Sequence, residues 1–113
     1  MIRVQPDVLV RFALEPVDFR KSIDGLACAV GAALGRDPLS GEMFVFCNRD
    51  RSALKALLWS TGGFVLVYKR LERGRFSLPS ATTEAGDVVL PPSVLNDLLA
   101  GAARAMEFVD NKP

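Results

Sequence analysis

Apolar residues alternate with polar ones at the start of the chain: Val10, Phe12 and Leu14 fall on one side and Arg11 on the other, with Pro6 and Pro16 as brackets. This predicts a short strand over residues 9 to 14. From Phe19 the period changes, and Phe19, Ile23, Leu26, Ala27, Val30 and Leu34 recur at helical spacing until Gly35. A helix is expected over about residues 18 to 34, with Asp18 as its N-cap and Gly35 as its stop. The segment DPLSGE, residues 37 to 42, reads as a connector in which proline presets φ and Gly41 takes a positive one.

Three runs rich in Phe, Val, Leu, Trp and Tyr follow, from Met43 to Cys47, Leu54 to Trp59 and Phe64 to Tyr68, separated by NRDRSA and STGG. That spacing predicts an antiparallel meander, with Thr61, Gly62 and Gly63 forming its hairpin. No face of these strands is polar, so the sheet needs a cover on both sides. One helix cannot supply both. The second cover falls to a C-terminal helix expected over about residues 92 to 106, or to another copy or partner. That helix carries a stripe of Val94, Leu95, Leu98, Leu99, Ala102 and Met106, is entered through Pro91 and Pro92, and is weakened by Gly101. Val88 to Leu90 is expected to close a sheet edge, after a loop of small and polar residues, SLPSATTEAGD. Trp59 and Tyr68 flank the hairpin, and core packing accounts for them better than base stacking, because no groove-binding motif accompanies them. The fold class expected is α+β: a four- to five-stranded mainly antiparallel sheet with two helices packed on it.

Length makes this one domain, residues 1 to 113, since a chain of that size has room for a single core. Half of the residues are hydrophobic, which excludes a disordered linker. The longest mostly apolar run, Leu26 to Leu34, is far short of the ~20 residues that cross a bilayer, and MIRVQPD lacks an apolar signal core. A soluble cytoplasmic protein without membrane contact is the expectation. Cys28 and Cys47 sit apart in apolar runs and read as small buried hydrophobes. There is no histidine, and without paired cysteines no zinc site and no cofactor are expected.

Charge changes the picture most. The formal net charge is +1, yet Arg49, Arg51, Lys55, Lys69, Arg70, Arg73 and Arg75 lie between residues 43 and 76 against only Asp50 and Glu72. The other seven basic residues are outnumbered by eleven acids. In a meander, the loop before one strand and the end of the strand after the hairpin share an edge, which would merge the two clusters into a basic rim. Neutralising phosphates there would release counterions and give affinity without a sequence code. A solvated face, paired with nearby acids, is the plainer reading of such a charge run. Arg20 and Lys21, placed in the first turn of the first helix, are a second candidate phosphate site, with Asp18 and Asp24 able to neutralise them.

The blocks VDFRKSIDGLA, DPLSGEMFVF and GGFVLVYKRLERGRF carry a family resemblance. The sequence resembles the TnpB accessory proteins of the insertion-sequence-sixty-six family of bacterial transposable elements, which are distinct from the RNA-guided nucleases sharing that label. The likeness runs from about Val17 to Pro79 and continues weakly to residues 98 to 101. It implies a protein that supports transposition beside a separate, larger transposase carrying the catalytic acids. It supplies no catalytic residues. Ser60, Leu78 and Pro91 depart from the residues common in the family at those places.

Three functions are weighed. Binding of the element's DNA, or another nucleic acid, by the basic rim comes first. A protein interaction module, docking on the transposase or forming a homo-oligomer through an apolar sheet face, comes second. A metal-dependent nuclease built on Asp18, Asp24 and Asp50 comes last, since each has a structural reading and no histidine can serve as base. The expectation is a non-catalytic accessory protein.

Overall fold

The computed structural model describes residues 4–78 and 86–100. Chain order is β1 (Val10–Ala13), α1 (Ile23–Leu34), β2 (Met43–Cys47), β3 (Ala53–Ser60), β4 (Gly63–Arg70), β5 (Asp87–Leu90) and α2 (Pro92–Ala100). The strands form one sheet in the order β4-β3-β2-β1-β5. β2, β3 and β4 are the antiparallel meander, with Met43 opposite Leu58 and Ser60 opposite Gly63. β1 runs parallel to β2, joined to it through α1, and β5 pairs antiparallel with β1. The fold is α+β with a mostly antiparallel sheet of five strands.

Alternation along the strands sends side chains into two cores. On one face Phe44, Phe46 and Leu57 pack with Ala13 and with Leu26 and Val30 of α1. On the other, Val10, Phe12, Val45, Leu54 and Ala56 pack with Leu95 and Leu98 of α2 and with Phe76 and Val4. All five residues of β2 are buried. Burial of a Val, Leu or Phe side chain is worth roughly 1.5 to 3 kcal/mol, so β2 is held in the sheet chiefly by its apolar side chains. The C-terminal helix therefore supplies the second cover. Asn96 ties it to the N-terminal segment by accepting from the Val4 amide at 2.6 Å and donating to the Val4 carbonyl at 3.2 Å.

A cluster of charges closes the sheet near the C-terminal end of α1. Asp87 is buried, and Arg36 donates to both its oxygens, at 2.7 and 3.3 Å, while Arg11 approaches it at 3.5 Å and also pairs with Glu42. The Arg36 guanidinium is driven further toward its charged form, chiefly by the hydrogen bonds to Asp87. Breaking such a pair would leave Asp87 partly uncompensated in the interior, which is why these contacts fix β5 and the connector against β1.

Three expectations are corrected, one of them Cys28, which is exposed on α1 while Cys47 is buried. The first helix begins at Ile23 with Ser22 as N-cap, not at Asp18. Asp18 instead turns its carboxylate back on the Arg20 amide at 2.9 Å, a local bond that competes with helix formation. Phe19 still packs on the α1 core, which extends the apolar period backward without a helix beneath it. At the other end Gly35 has φ of 64°, and its amide and that of Arg36 bond back to Gly31 and Val30, closing α1 as expected. The third correction concerns the aromatics. Trp59 is only half-buried, packed edge-on against Phe64 with ring centroids 5.0 Å apart, and Tyr68 is exposed. Both lie on the outer part of the meander, at its hairpin end or on the edge strand, where α1 does not cover them fully. Ala102 and Met106, with the rest of the helix expected to residue 106, lie outside the described residues, as do residues 79 to 85 of the loop.

The hairpin turn puts both Thr61 (φ 37°) and Gly62 (φ 81°) in the positive region, the requirement of a type I′ turn. A β-branched residue is strained there. Thr61→Asn, creating the preferred Asn-Gly pair, should stabilise the protein by about 1 kcal/mol, or roughly 4 to 8 °C in a thermal melt. An unchanged or lower midpoint would show that Thr61 carries no such strain.

Candidate nucleic-acid interface

The basic rim is built at the end of the sheet where β2 turns into β3 and β4 runs out. Asn48 organises the turn: its Oδ1 accepts from the amides of Ser52 (2.9 Å) and Ala53 (3.1 Å), and its Nδ2 donates to Ser52 Oγ at 2.9 Å. Ser52 Oγ donates to Asp50 at 2.7 Å, and Arg51 takes a left-handed φ of 62°. The chain after β4 is then stitched alongside, the Leu71 amide donating to the Ser52 carbonyl and the Phe76 amide to the Arg51 carbonyl, both at 2.8 Å. Phe76, fully buried, anchors that return. Arg49, Arg51, Arg73 and Arg75 are thus held, exposed, on adjacent backbone segments, with Arg70 opposite Ala53 at the strand end.

Engagement separates these cations. Among the described residues, Arg70 meets Glu72 at 3.5 Å with both side chains largely exposed, a contact worth little in water. The Asp50 carboxyl is held below its ordinary range by the Ser52 hydrogen bonds first, with the positive field of Arg75 adding to them. Lys69 turns inward, donating to the Leu99 carbonyl at 2.9 Å and so tying β4 to α2.

Lys55 is off the rim altogether. It is buried mid-strand on the α1 face, where Nζ donates to the carbonyls of Phe19 (3.0 Å) and Lys21 (2.7 Å). The Phe19 and Tyr68 rings flank the ammonium at 5.0 and 5.2 Å. Its chemistry is that of a clamp, in which a buried charge is compensated by two carbonyl dipoles and two π faces. The clamp fixes the segment from Asp18 to Ser22 over the sheet.

That segment corrects the second candidate site. Arg20 and Lys21 precede the helix, so neither sits in its first turn, whose acidic residue is Asp24. Arg20 is paired with Asp18 through Nε and Nη2, the shortest contact 2.6 Å. The pair pulls the Asp18 carboxyl down to about 2, chiefly through the side-chain bond from Arg20. Lys21 is exposed, with its carbonyl taken by Lys55. A cleft of about 480 Å³ opens between Pro16–Phe19 and Asn48–Asp50, with Arg49, Asp18 and Asp50 on its walls. Asp18 and Asp50 are thus occupied by Arg20 and Ser52, and Asp24 is an exposed helix residue. Asn48 and Ser52, which set the rim's geometry, were not singled out by charge or spacing. The only sequence signal for them is the turn composition of Asn-Arg-Asp-Arg-Ser.

Comparison with known proteins places this geometry in a family context. The family model described as IS66 Orf2 like protein matches residues 8–107. The protein y4jC of Sinorhizobium fredii (strain NBRC 101917 / NGR234) is 35% identical over 101 residues, covering 89% of this chain and 85% of the relative. A second protein of that strain, y4hO, is 43% identical over 96 residues, covering 84% and 81%. No solved structure matches the chain.

Lys55→Met keeps the side-chain volume but leaves the Phe19 and Lys21 carbonyls without their donor. It should cost about 1.5 to 3 kcal/mol in urea unfolding and leave nucleic-acid affinity unchanged at temperatures where the variant is folded. Lost affinity with unaltered stability would return Lys55 to the rim. The Asp18–Arg20 pair predicts that the Asp18 side-chain carbon titrates near pH 2 by NMR. Because the folded value is depressed, the pair's contribution is present above the ordinary carboxylate range and disappears as pH falls through about 2. In Arg20→Ala the midpoint should rise toward 3.8, and a midpoint near 3.8 in the unaltered protein would show that the pair does not persist in solution.

Proposed function

The chain belongs to the IS66 Orf2-like family of transposition-associated accessory proteins, and from that premise we propose that it acts without catalysis of its own, holding nucleic acid on the basic rim. The observation that carries this reading is the pair of backbone bonds from Leu71 and Phe76 to the β2–β3 turn. They hold the segments that bear Arg49, Arg51, Arg70, Arg73 and Arg75 side by side, with Glu72 and Asp50 the acids among them. The element's DNA is the ligand the family context favours. Fixed guanidinium groups on a turn suit phosphate oxygens, and each phosphate neutralised releases counterions. Nothing on the rim is a helix offering side chains to base edges, so sequence preference should be modest. Lys69 serves by fixing the strand end, and Lys55 by fixing the segment that bears Arg20 and Lys21.

The alternative, docking on the transposase or on a second copy through an apolar sheet face, has less surface to use over the centre of the sheet, where α1 covers one face and α2 the other. Among the described residues, no helix is long and apolar enough to cross a membrane.

Replacing Arg70, Arg73 and Arg75 together with alanine should weaken DNA binding and flatten its salt dependence. Each lost phosphate contact should reduce the slope of log K against log salt by about 0.7 to 0.9. Melting should change little, by no more than about 0.5 kcal/mol per exposed charge. Fluorescence anisotropy with element-end and scrambled duplexes at several salt concentrations reads this out. Absence of binding by the unaltered protein at low salt, or an unaltered slope in the folded triple variant, would make the rim a solvated face.

A further inference from the structure

The two edges of the sheet are built differently. β5 is four residues long and runs straight into Pro91 and Pro92, the short, proline-stopped form that protects an edge from further pairing. β4 is eight residues long and carries Phe64, Val65, Leu66, Val67 and Tyr68 in unbroken succession. Among the described residues it is hydrogen-bonded to β3 on one side only. Val65 is 46% and Tyr68 54% exposed, one on each face of the strand, so the edge carries large side chains that the protein leaves half open to water on both sides. Over Gly63 to Tyr68 there is no proline and no charge to discourage a partner strand.

The backbone fixes what such a partner must look like. A two-residue hairpin closes on a hydrogen-bonded pair, here Ser60 and Gly63, and the Leu71 amide bonds to Ser52 in the same phase. Gly63, Val65, Val67 and Lys69 therefore turn their backbone groups toward β3. Phe64, Leu66, Tyr68 and Arg70 turn theirs outward. For two copies to share one continuous sheet about a two-fold axis, a residue must face its own copy, because paired residues point to the same side.

We infer that β4 pairs antiparallel with β4 of a second copy of this chain, centred on Leu66. In that register Leu66 exchanges both backbone bonds with its copy, Phe64 faces Tyr68, and Val65 faces Val67. Every apolar residue of the edge gains an apolar cross-strand neighbour. Lys69 falls opposite Gly63 and Arg70 opposite Gly62, so the two positive ends are kept apart. A pairing centred on Val67 would set Lys69 against Val65 and Arg70 against Phe64, which is why Leu66 is the better centre. The result is a ten-stranded sheet with a rim at each end of the seam, Arg70 and its copy about eight residues, or roughly 27 Å, apart along the strands. The pairing does not depend on nucleic-acid binding by the rim.

Sedimentation velocity of the full chain, without nucleic acid, over micromolar to submillimolar concentrations should show a reversible monomer–dimer equilibrium. Val65→Lys puts a charge on the seam twice, once from each copy, and should raise the dimer dissociation constant by about tenfold or more while the monomer still melts cooperatively. In a Cys28→Ala background, Leu66→Cys should oxidise to a covalent dimer, since the facing Cα atoms of a hydrogen-bonded pair lie about 5.5 Å apart. Val67→Cys in the same background should not, its copy being about 8 Å away and beyond disulfide reach. A chain that stays monomeric throughout, a dimer indifferent to Val65→Lys, or cross-linking at Val67 in place of Leu66 would overturn the inference.

Discussion

Burial of β2 on both faces sets the terms for the rest of the molecule. A strand of Met43, Phe44, Val45, Phe46 and Cys47 has no side chain to offer to water, so it must lie inside a sheet and beneath two covers. The parallel crossover through α1 places one cover, and the return of the chain through β5 into α2 places the other. Burial also raises the Cys47 thiol above its ordinary value, so it stays a neutral apolar filler. Strands further from β2 are progressively less covered, and β4, the farthest on one side, has exposed residues at Val65, Tyr68 and Arg70.

The same gradient decides which cations can meet a ligand. Where a positive side chain is covered it has to be satisfied by the protein, as Lys55 is by two carbonyls within the sheet, and as Arg11 on β1 and Arg36 in the connector are by Asp87 and Glu42. Those charges are consumed by the fold. At the strand ends, backbone hydrogen bonds do the holding and the guanidinium groups are left in solvent. A near-neutral net charge therefore coexists with a local positive field, because compensation is spread over the sheet while the uncompensated arginines are gathered at one end.

Much of this was readable in residue order. The apolar patterns around Phe12, Phe44, Leu57 and Leu66, with Thr-Gly-Gly at the hairpin, located the first four strands and the meander, and Val88 to Leu90 was legible as an edge-closing segment. Gly35 ended α1 where the apolar period stopped. The failures share a cause, which is that a side chain's partner across space is invisible in a linear pattern. Asp18 has the composition of an N-cap, but Arg20 beside it and the Lys55 clamp on the Phe19 and Lys21 carbonyls hold the segment out of the helix. Lys55 counted as a rim charge because its neighbours in sequence are basic, although alternation in a two-sided strand puts it on a covered face. The absence of a groove-binding motif favours the core for Trp59, yet burial falls off along β3 from Leu57 outward as the strand leaves α1 behind.

What the strand pattern could not distinguish was an apolar residue facing a helix from one facing open water at a sheet edge. Both satisfy period two. The difference lies in sheet order, which puts β4 outermost though it sits in the middle of the sequence and carries five large apolar and aromatic residues in a row. Chain order alone would make the termini the natural edges. Here the parallel step from β1 to β2 turns the meander outward, and β5 closes only the opposite side. The second hairpin of the meander therefore ends at an edge that, among the described residues, has no further strand, with Lys69 anchoring one end of β4 to α2 and the arginine rim beginning beside it. Charge at that end and apolar surface along the rest divide one strand between two kinds of contact, phosphate and strand.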